Sequence, residues 1–249
     1  MSRLDFTSHR LCVEAPLSEG ATVELTREQT NYLVNVLRLG DGAGLHVFNG
    51  RDGEWRAELA AGKKTAMLKV KSLARAQDSL PDLDYLFAPL KHARLDYMAQ
   101  KAVEMGARRL RPVLTRRTQA SRINLERMRA NVVEAAEQCG ILSLAEVLPE
   151  QRLDAVLADW PDDRLLIFCD EAAEVADPVA ALRLAGAGFR KFGVLIGPEG
   201  GFDEAERRTL SELKCSARIS LGPRVLRADT AAVAALALVQ AALGDGRGG

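Results

Sequence analysis

Apolar positions along the first part of the chain fall into short alternating stretches. Ala21–Leu25, Gly44–Phe48, Glu54–Leu59 and Ala66–Leu73 each read as a strand. The turn signals Leu39-Gly40-Asp41-Gly42, Asn49-Gly50 and Asp52-Gly53 fall between them. Tyr32, Leu33, Val36 and Leu37 recur at helical spacing, which predicts one short helix over Arg27–Leu37. The expectation for residues 1–72 is therefore a small β-barrel with a helix. Residues 73–83 are polar, carry Pro81 and read as a linker. Beyond them the pattern alternates strand and helix. Asp84–Leu90, Arg108–Thr115, Arg164–Asp170, Lys191–Gly197 and Ala217–Gly222 are apolar runs of strand length, whereas Ala93–Gly106 and Leu125–Cys139 have the helical period. Repeated βα units predict an α/β domain over residues 84–249 with a mainly parallel sheet. Ligands of such sheets bind beyond the carboxyl ends of the strands, which puts the expected site just after Asp170, Gly197 and Gly222. The Gly244–Gly249 tail reads as disordered.

Composition narrows the class. The chain has 249 residues, 47% hydrophobic and 27% charged, the balance of a soluble globular protein rather than a disordered or fibrous one. The apolar run Ala231–Leu243 is shorter than the roughly 20 residues of a membrane span and reads as a buried helix. The polar start MSRLDFTSHRL lacks the apolar core of a signal peptide. Cys12, Cys139, Cys169 and Cys215 form no C-x-x-C pair, and His9, His46 and His92 are scattered. These features predict a reduced, cytoplasmic protein with no metal site and no histidine-based triad.

Net charge is zero, yet the charges are segregated. Between Pro89 and Asn131 eleven Lys and Arg face only Asp96, Glu104 and Glu126; between Val132 and Pro178 twelve acids face only Arg152 and Arg164. One basic surface that meets an anion is compatible with this, as are solvated helix faces. Arg94 and Lys101, seven apart, share a helix face. With Lys91, Arg116 and Arg117 they read as contacts to a phosphate backbone, and Arg10 and Arg38 as their counterparts on the barrel.

Two loops carry the chemistry. Ile196-Gly197-Pro198-Glu199-Gly200-Gly201-Phe202-Asp203 follows a strand and opens a helix, with Asp203 and Glu206 spaced as a capping box. Glycines around a proline make a turn without side-chain bulk, where backbone amides approach a planar ligand closely. It is neither a Walker A loop nor G-x-G-x-x-G. The next strand ends in Ser220-Leu221-Gly222-Pro223-Arg224-Val225-Leu226-Arg227, after which Asp229 or Thr230 is the expected N-cap of the apolar helix. The two turns suit opposite sides of one pocket, with Arg224 and Arg227 at its rim.

The pair LIGPEGGFDEAE and SLGPRVLRADTAAVAAL resembles the ribosomal RNA small-subunit methyltransferase E family of the SPOUT superfamily. NYLVNVLRLGDGAGLHVFNGRDGEWRAEL, LKHARLDYMAQKAVEMGARRLRPVLTRRT and EAAEQCG extend the likeness over nearly the whole chain, in order. Two departures stand out: Asp229 precedes Thr230-Ala231 where Glu is common, and Ile141 stands where Arg usually follows the glycine of the EAAEQCG signature. The resemblance implies a PUA-like, RNA-binding β-barrel followed by a trefoil-knotted α/β domain, a homodimer, and methylation of a uridine N3 in 16S ribosomal RNA or the assembled small subunit. It implies S-adenosylmethionine as cofactor, held by Cys169, Asp170, Ile196, Gly197, Pro198, Gly200, Gly201, Leu221, Gly222, Val225 and Leu226. Within the motifs, Arg227, Arg224 and Glu199 are the candidate catalytic groups: Arg227 to stabilise the uracil anion, Glu199 to shape the loop or help with the proton. Glu199 and Asp229 have a purely structural alternative as caps. Another RNA, a ribose 2′-oxygen, or a non-catalytic role in ribosome assembly remain alternatives at this point.

Overall fold

The computed structural model describes residues 8–60, 62, 65–90, 92–119, 123–173 and 177–244. The first seven residues, Lys91 and residues 245–249 of the tail lie outside them. The chain divides into two compact units, residues 1–79 with 133–144, and residues 80–132 with 145–249.

The first unit is a sheet of five strands among the described residues, in the order β1-β3-β4-β5-β2. These are β1 (Arg10–Cys12), β2 (Thr22–Glu24), β3 (Gly44–Phe48), β4 (Glu54–Ala60) and β5 (Met67–Arg75). All neighbours are antiparallel except β1 and β3. Alternate residues such as Leu45, Val47, Ala57, Leu59, Leu68 and Val70 point into one core with Leu11, Val23 and Leu33. Helix α1 (Arg27–Asn31) opens with a capping box in which Thr26 and Gln29 satisfy each other's amides. The predicted helix does not stay regular to Leu37: it continues as a turn of π-helix, Tyr32–Val36. Arg38 then adopts φ 56°, and the Leu39 amide donates to the Leu33 carbonyl at 2.9 Å to close the end.

Arg10 corrects an expectation. Its side chain is 4% exposed and donates from Nε to Glu54 at 2.9 Å, while Arg75 meets the same buried carboxylate at 2.6 Å. A guanidinium in that position closes a core and does not track an external phosphate.

The second unit is a parallel sheet in the order β12-β10-β11-β6-β7-β8, with β9 on β7. In chain order it contains β6 (Leu83–Phe87), α2 (His92–Glu104), β7 (Arg109–Leu114), the start of α3 (Leu125–Cys139), β8 (Glu146–Val147), β9 (Gln151–Arg152), α4 (Leu153–Ala158), β10 (Arg164–Cys169), α5 (Pro178–Ala185), β11 (Lys191–Ile196), α6 (Glu204–Glu212), β12 (Ser216–Ile219) and α7 (Ala228–Leu243). Strands β6, β10 and β11 are buried almost throughout, as a sheet covered on both faces requires. Gly193 of β11 is a packing necessity, because a Cβ there would lie 2.6 Å from the Trp160 ring. At the amino ends of the strands, buried Asp84 meets Arg109, Arg111 and Arg164, and Asp82 meets Arg109 and Arg164. This ion cluster leaves the carboxyl ends free for chemistry.

Candidate active site

Strands β10, β11 and β6 lie side by side with β12 at the edge, so three successive strand-to-helix loops emerge at one end of the sheet. They enclose a cavity of about 250 Å³. Cys169–Glu171 form one wall, Ile196–Phe202 a second, and Leu221, Gly222 and Arg224–Leu226 a third, with Ala228 and Ala231 of α7 behind them. Every residue expected to hold the cofactor lines this cavity. So do Glu199 and Arg224.

Local chemistry explains each wall. Asp170 is fully buried and its carboxylate is already engaged: it accepts from the Ala172 amide at 3.0 Å and from Arg218 at 2.9 Å, with Arg207 at 3.4 Å. It therefore braces the β10 end rather than offering a free base. Burial, aided by the Asp170 charge, pushes the neighbouring Cys169 thiol up to about 12, so it stays protonated and unreactive at neutral pH. In the second wall the Gly201 amide donates to the Pro198 carbonyl at 2.8 Å, closing the turn. Gly201 has φ 68°, a conformation that other residues adopt only with strain. A Cβ on Gly197 would come within 3.0 Å of the Phe202 ring, which is buried edge-on to Phe168 at 6.4 Å.

The capping box at α6 is present as the spacing predicts: Asp203 accepts from the Glu206 amide at 2.7 Å, and Glu206 from the Asp203 amide at 3.0 Å. The Glu206 amide and then the Arg116 charge hold the Asp203 carboxyl below its ordinary value. Neither Asp229 nor Thr230 caps α7. The N-cap is Arg227, extended at φ −66° and ψ 153°, without a side-chain bond. Asp229 sits two residues further in, in the first turn, where its carboxylate accepts from the Thr230 amide at 2.8 Å and faces the positive helix end.

The charged candidates separate into free and occupied. Glu199, Arg224 and Arg227 are exposed and carry no side-chain bond among the described residues. Arg227 does not line the cavity. Glu199 caps nothing. Arg38 and Arg94 are likewise exposed and unpaired. Lys101 is taken by Glu104 at 2.7 Å and lies over the Tyr97 ring. Arg116 and Arg117 bond to the segment 200–206.

Sequence reasoning missed Glu171, Phe202, Ala228 and Ala231. Glu171 follows two predicted lining residues and was within reach of the same argument; the two alanines line the cavity only because α7 packs behind it. Val225, by contrast, stands 88% exposed at the rim, an apolar side chain with no core to enter.

A family model described as an RNA methyltransferase domain matches residues 77–240, and one described as an RNA methyltransferase PUA domain matches residues 25–71. Ribosomal RNA small subunit methyltransferase E of Synechocystis is 33% identical over 247 residues, covering 95% of this chain and 78% of that protein. Its namesake from Rickettsia conorii is 29% identical over 235 residues, covering 93% and 95%. A crystal structure of the Neisseria gonorrhoeae enzyme of that name, bound to S-adenosyl methionine, superposes with a TM-score of 0.79 at 26% identity, over 94% of this chain and 97% of that one.

Proposed function

Because the chain belongs to the ribosomal RNA small subunit methyltransferase E family, we propose that it transfers a methyl group from S-adenosylmethionine to N3 of a uridine in 16S ribosomal RNA. One observation carries this reading: loops after three neighbouring parallel strands meet in a single cavity, and the residues that the motifs mark for the cofactor line it. The cavity fits that group. Glycine backbones and the apolar Ile196, Phe202, Leu221 and Leu226 suit the flat face of an adenosyl moiety, and the exposed Glu199 carboxylate suits a cation, whereas Glu171 is taken by Arg207 at 2.7 Å.

When bound, S-adenosylmethionine supplies a methyl group activated by a sulfonium. The chain's own residues have two remaining tasks, alignment and charge. The braced β10 end and the closed Pro198–Gly201 turn shape the cavity before substrate arrives, which favours alignment. Loss of the N3 proton leaves negative charge on the uracil ring and its carbonyl oxygens. Arg224 and Arg227 are free guanidiniums three residues apart, suited to stabilise that anion as it develops. Glu199 is the free carboxylate on the neighbouring loop and is assigned to the proton. Cys169 and Asp170 take no part in proton transfer, for the reasons given above.

In this reading Arg38 and Arg94 contact RNA phosphates, the substrate being 16S ribosomal RNA or the small subunit. The active form is a homodimer working in the cytoplasm, supported by α7, which is apolar almost all round yet leaves Ala237 and Ala241 exposed. A trefoil knot belongs to the same reading, as the family implies; the chain passes from edge strand β12 back to pack α7 on α2, α5 and β11. Among the described residues no helix is long and apolar enough to cross a membrane, and no group of metal-ligating side chains is found.

The test is methyl transfer from radiolabelled S-adenosylmethionine to small ribosomal subunits lacking their uridine methylation, with naked rRNA and tRNA alongside. Label recovered as 3-methyluridine in 16S rRNA is the expected result. Label in another nucleotide, or cofactor binding without transfer, overturns the reading.

A further inference from the structure

The basic pair Arg116-Arg117 sits at the apex of a small, tightly held turn that follows β7. Thr115, buried, and Thr118 close it from both sides: the Thr115 amide donates to Thr118 Oγ1 at 2.9 Å, the two hydroxyls lie 2.9 Å apart, and the Thr118 amide donates to the Thr115 carbonyl at 3.2 Å. From this fixed base both arginines reach the segment that carries the second cavity wall. Arg117 Nη1 donates to the Gly200 carbonyl at 2.7 Å, and its stem lies 3.6 Å from where a Gly200 Cβ would stand. The Arg116 amide donates to Glu206 Oε1 at 2.7 Å, and its Nη1 to Asp203 Oδ2 at 3.0 Å. The other oxygens of Glu206 and Asp203 are the ones that make the capping box. One turn thus holds both ends of the stretch Gly200–Glu206, the exposed glycine end and the helix start.

We propose that the Thr115–Thr118 turn is a clamp on the cofactor loop, and that Arg117 is a positioning residue for cofactor binding, not a phosphate contact. Gly200 and Gly201 carry no side chains, so the loop has little of its own to fix it beyond the Pro198–Gly201 bond. A charge-assisted bond from an arginine whose base is rigid supplies what the glycines lack. Nη1 is committed to that bond, and a phosphate that drew the guanidinium away through Nε or Nη2 would strain it and loosen the wall next to it. The proposal rests on the reading that this cavity holds S-adenosylmethionine.

The clamp and a phosphate contact make opposite demands on Arg117→Met, which keeps the stem and removes donor and charge. If Arg117 clamps, S-adenosylmethionine binds about tenfold more weakly to the variant, the loss of one charge-assisted hydrogen bond. KM for the cofactor rises with it, kcat changes little, and both RNA affinity and its salt slope stay at the wild-type value. Asp203→Asn keeps the cap acceptor and weakens only the Arg116 arm, so its effect is smaller and in the same direction. Amide exchange in the ligand-free full chain gives an independent readout: Gly200 and Gly201 exchange faster in Arg117→Met while β10 and β11 do not. A variant that binds cofactor like the wild type, with RNA affinity reduced and the salt slope smaller by about one, overturns the clamp. A wild-type chain that binds no S-adenosylmethionine overturns the functional reading and the assignment of Arg117 with it, and that outcome is distinct because the wild type itself fails.

Discussion

Gly197→Ala probes why the cofactor loop begins with glycine. The added methyl would face Phe202 Cε2 and Cζ at 3.0 Å and Cε1 at 3.3 Å, closer than a relaxed contact by several tenths of an ångström. Phe202 has nowhere to retreat, being buried with its ring edge-on to the equally buried Phe168. Overpacking of this kind costs about 1–3 kcal/mol. The loop is the softer partner, so the strain is relieved by shifting Gly197–Gly201. At about 1.4 kcal/mol per decade the cofactor affinity then falls roughly fivefold to a hundredfold. The assay is titration calorimetry with S-adenosylmethionine, paired with thermal unfolding to confirm that the variant is folded. Phe202→Leu removes the obstructing ring at a cost of its own of about 1 kcal/mol. In the double variant the methyl and the smaller side chain share the space, and the coupling is at least about 1 kcal/mol in favour of the pair. Costs that add to within about 0.5 kcal/mol would refute the reasoning, because the ring would not be the reason for the glycine.

Three other outcomes follow from buried groups. Arg10→Met lowers stability by about 2–3 kcal/mol in denaturant unfolding, less than the ~3–5 of a fully orphaned buried partner because Arg75 still meets Glu54, and it leaves the salt slope of RNA binding unchanged. Burial, with Glu134 adding, raises the Glu137 carboxyl above its ordinary 4.5 despite the bond it accepts from the Cys12 amide. A carboxyl so raised gives its stability at low pH and loses it as pH climbs through the folded-state value, so Glu137→Gln raises Tm at pH 7 and the gain vanishes below about pH 4. Cys12 and Cys169, both pushed up to about 12 by burial, escape iodoacetamide at pH 8 in the folded chain and react in urea, as intact mass will show.

Much of this was legible in the pattern of residues, for reasons that also explain the gaps. The strands β3 and β11 stand out because their apolar runs end at glycine turns, and β10 because its run Leu165–Cys169 stops at Asp170 and Glu171. The cavity stands out because glycine-rich turns after β11 and β12, the parallel strands on either side of β10, leave room at the carboxyl ends. Three residues of β1, by contrast, alternate too briefly to register, and β8 and β9 are two residues each. Strand β5 extends to Arg75 and β6 begins at Leu83, inside a stretch whose polarity reads as linker. That polarity serves specific partners, as where Gln77 accepts from the Gly53 amide and Arg75 meets Glu54. Spacing on a helix face is also blind to distant acids. Arg10 and Arg38 look alike in the sequence, yet Arg10 has a carboxylate 44 residues away and Arg38 has none among the described residues.

The strand order has a bearing on how the protein is made. Strand β10 pairs with β11 on one side and with β12 on the other, and β12 is the last strand to leave the ribosome. Until Ser216–Ile219 has been synthesised, a nascent chain presents one edge of Arg164–Cys169, almost wholly apolar, with its amides and carbonyls open to any passing strand. The third cavity wall arrives later still, with Leu221–Leu226. A chain stopped before β12 is therefore without a complete site and carries a sticky sheet edge. Premature termination or slow synthesis from Ser216 onward is expected to yield aggregate rather than partly active protein.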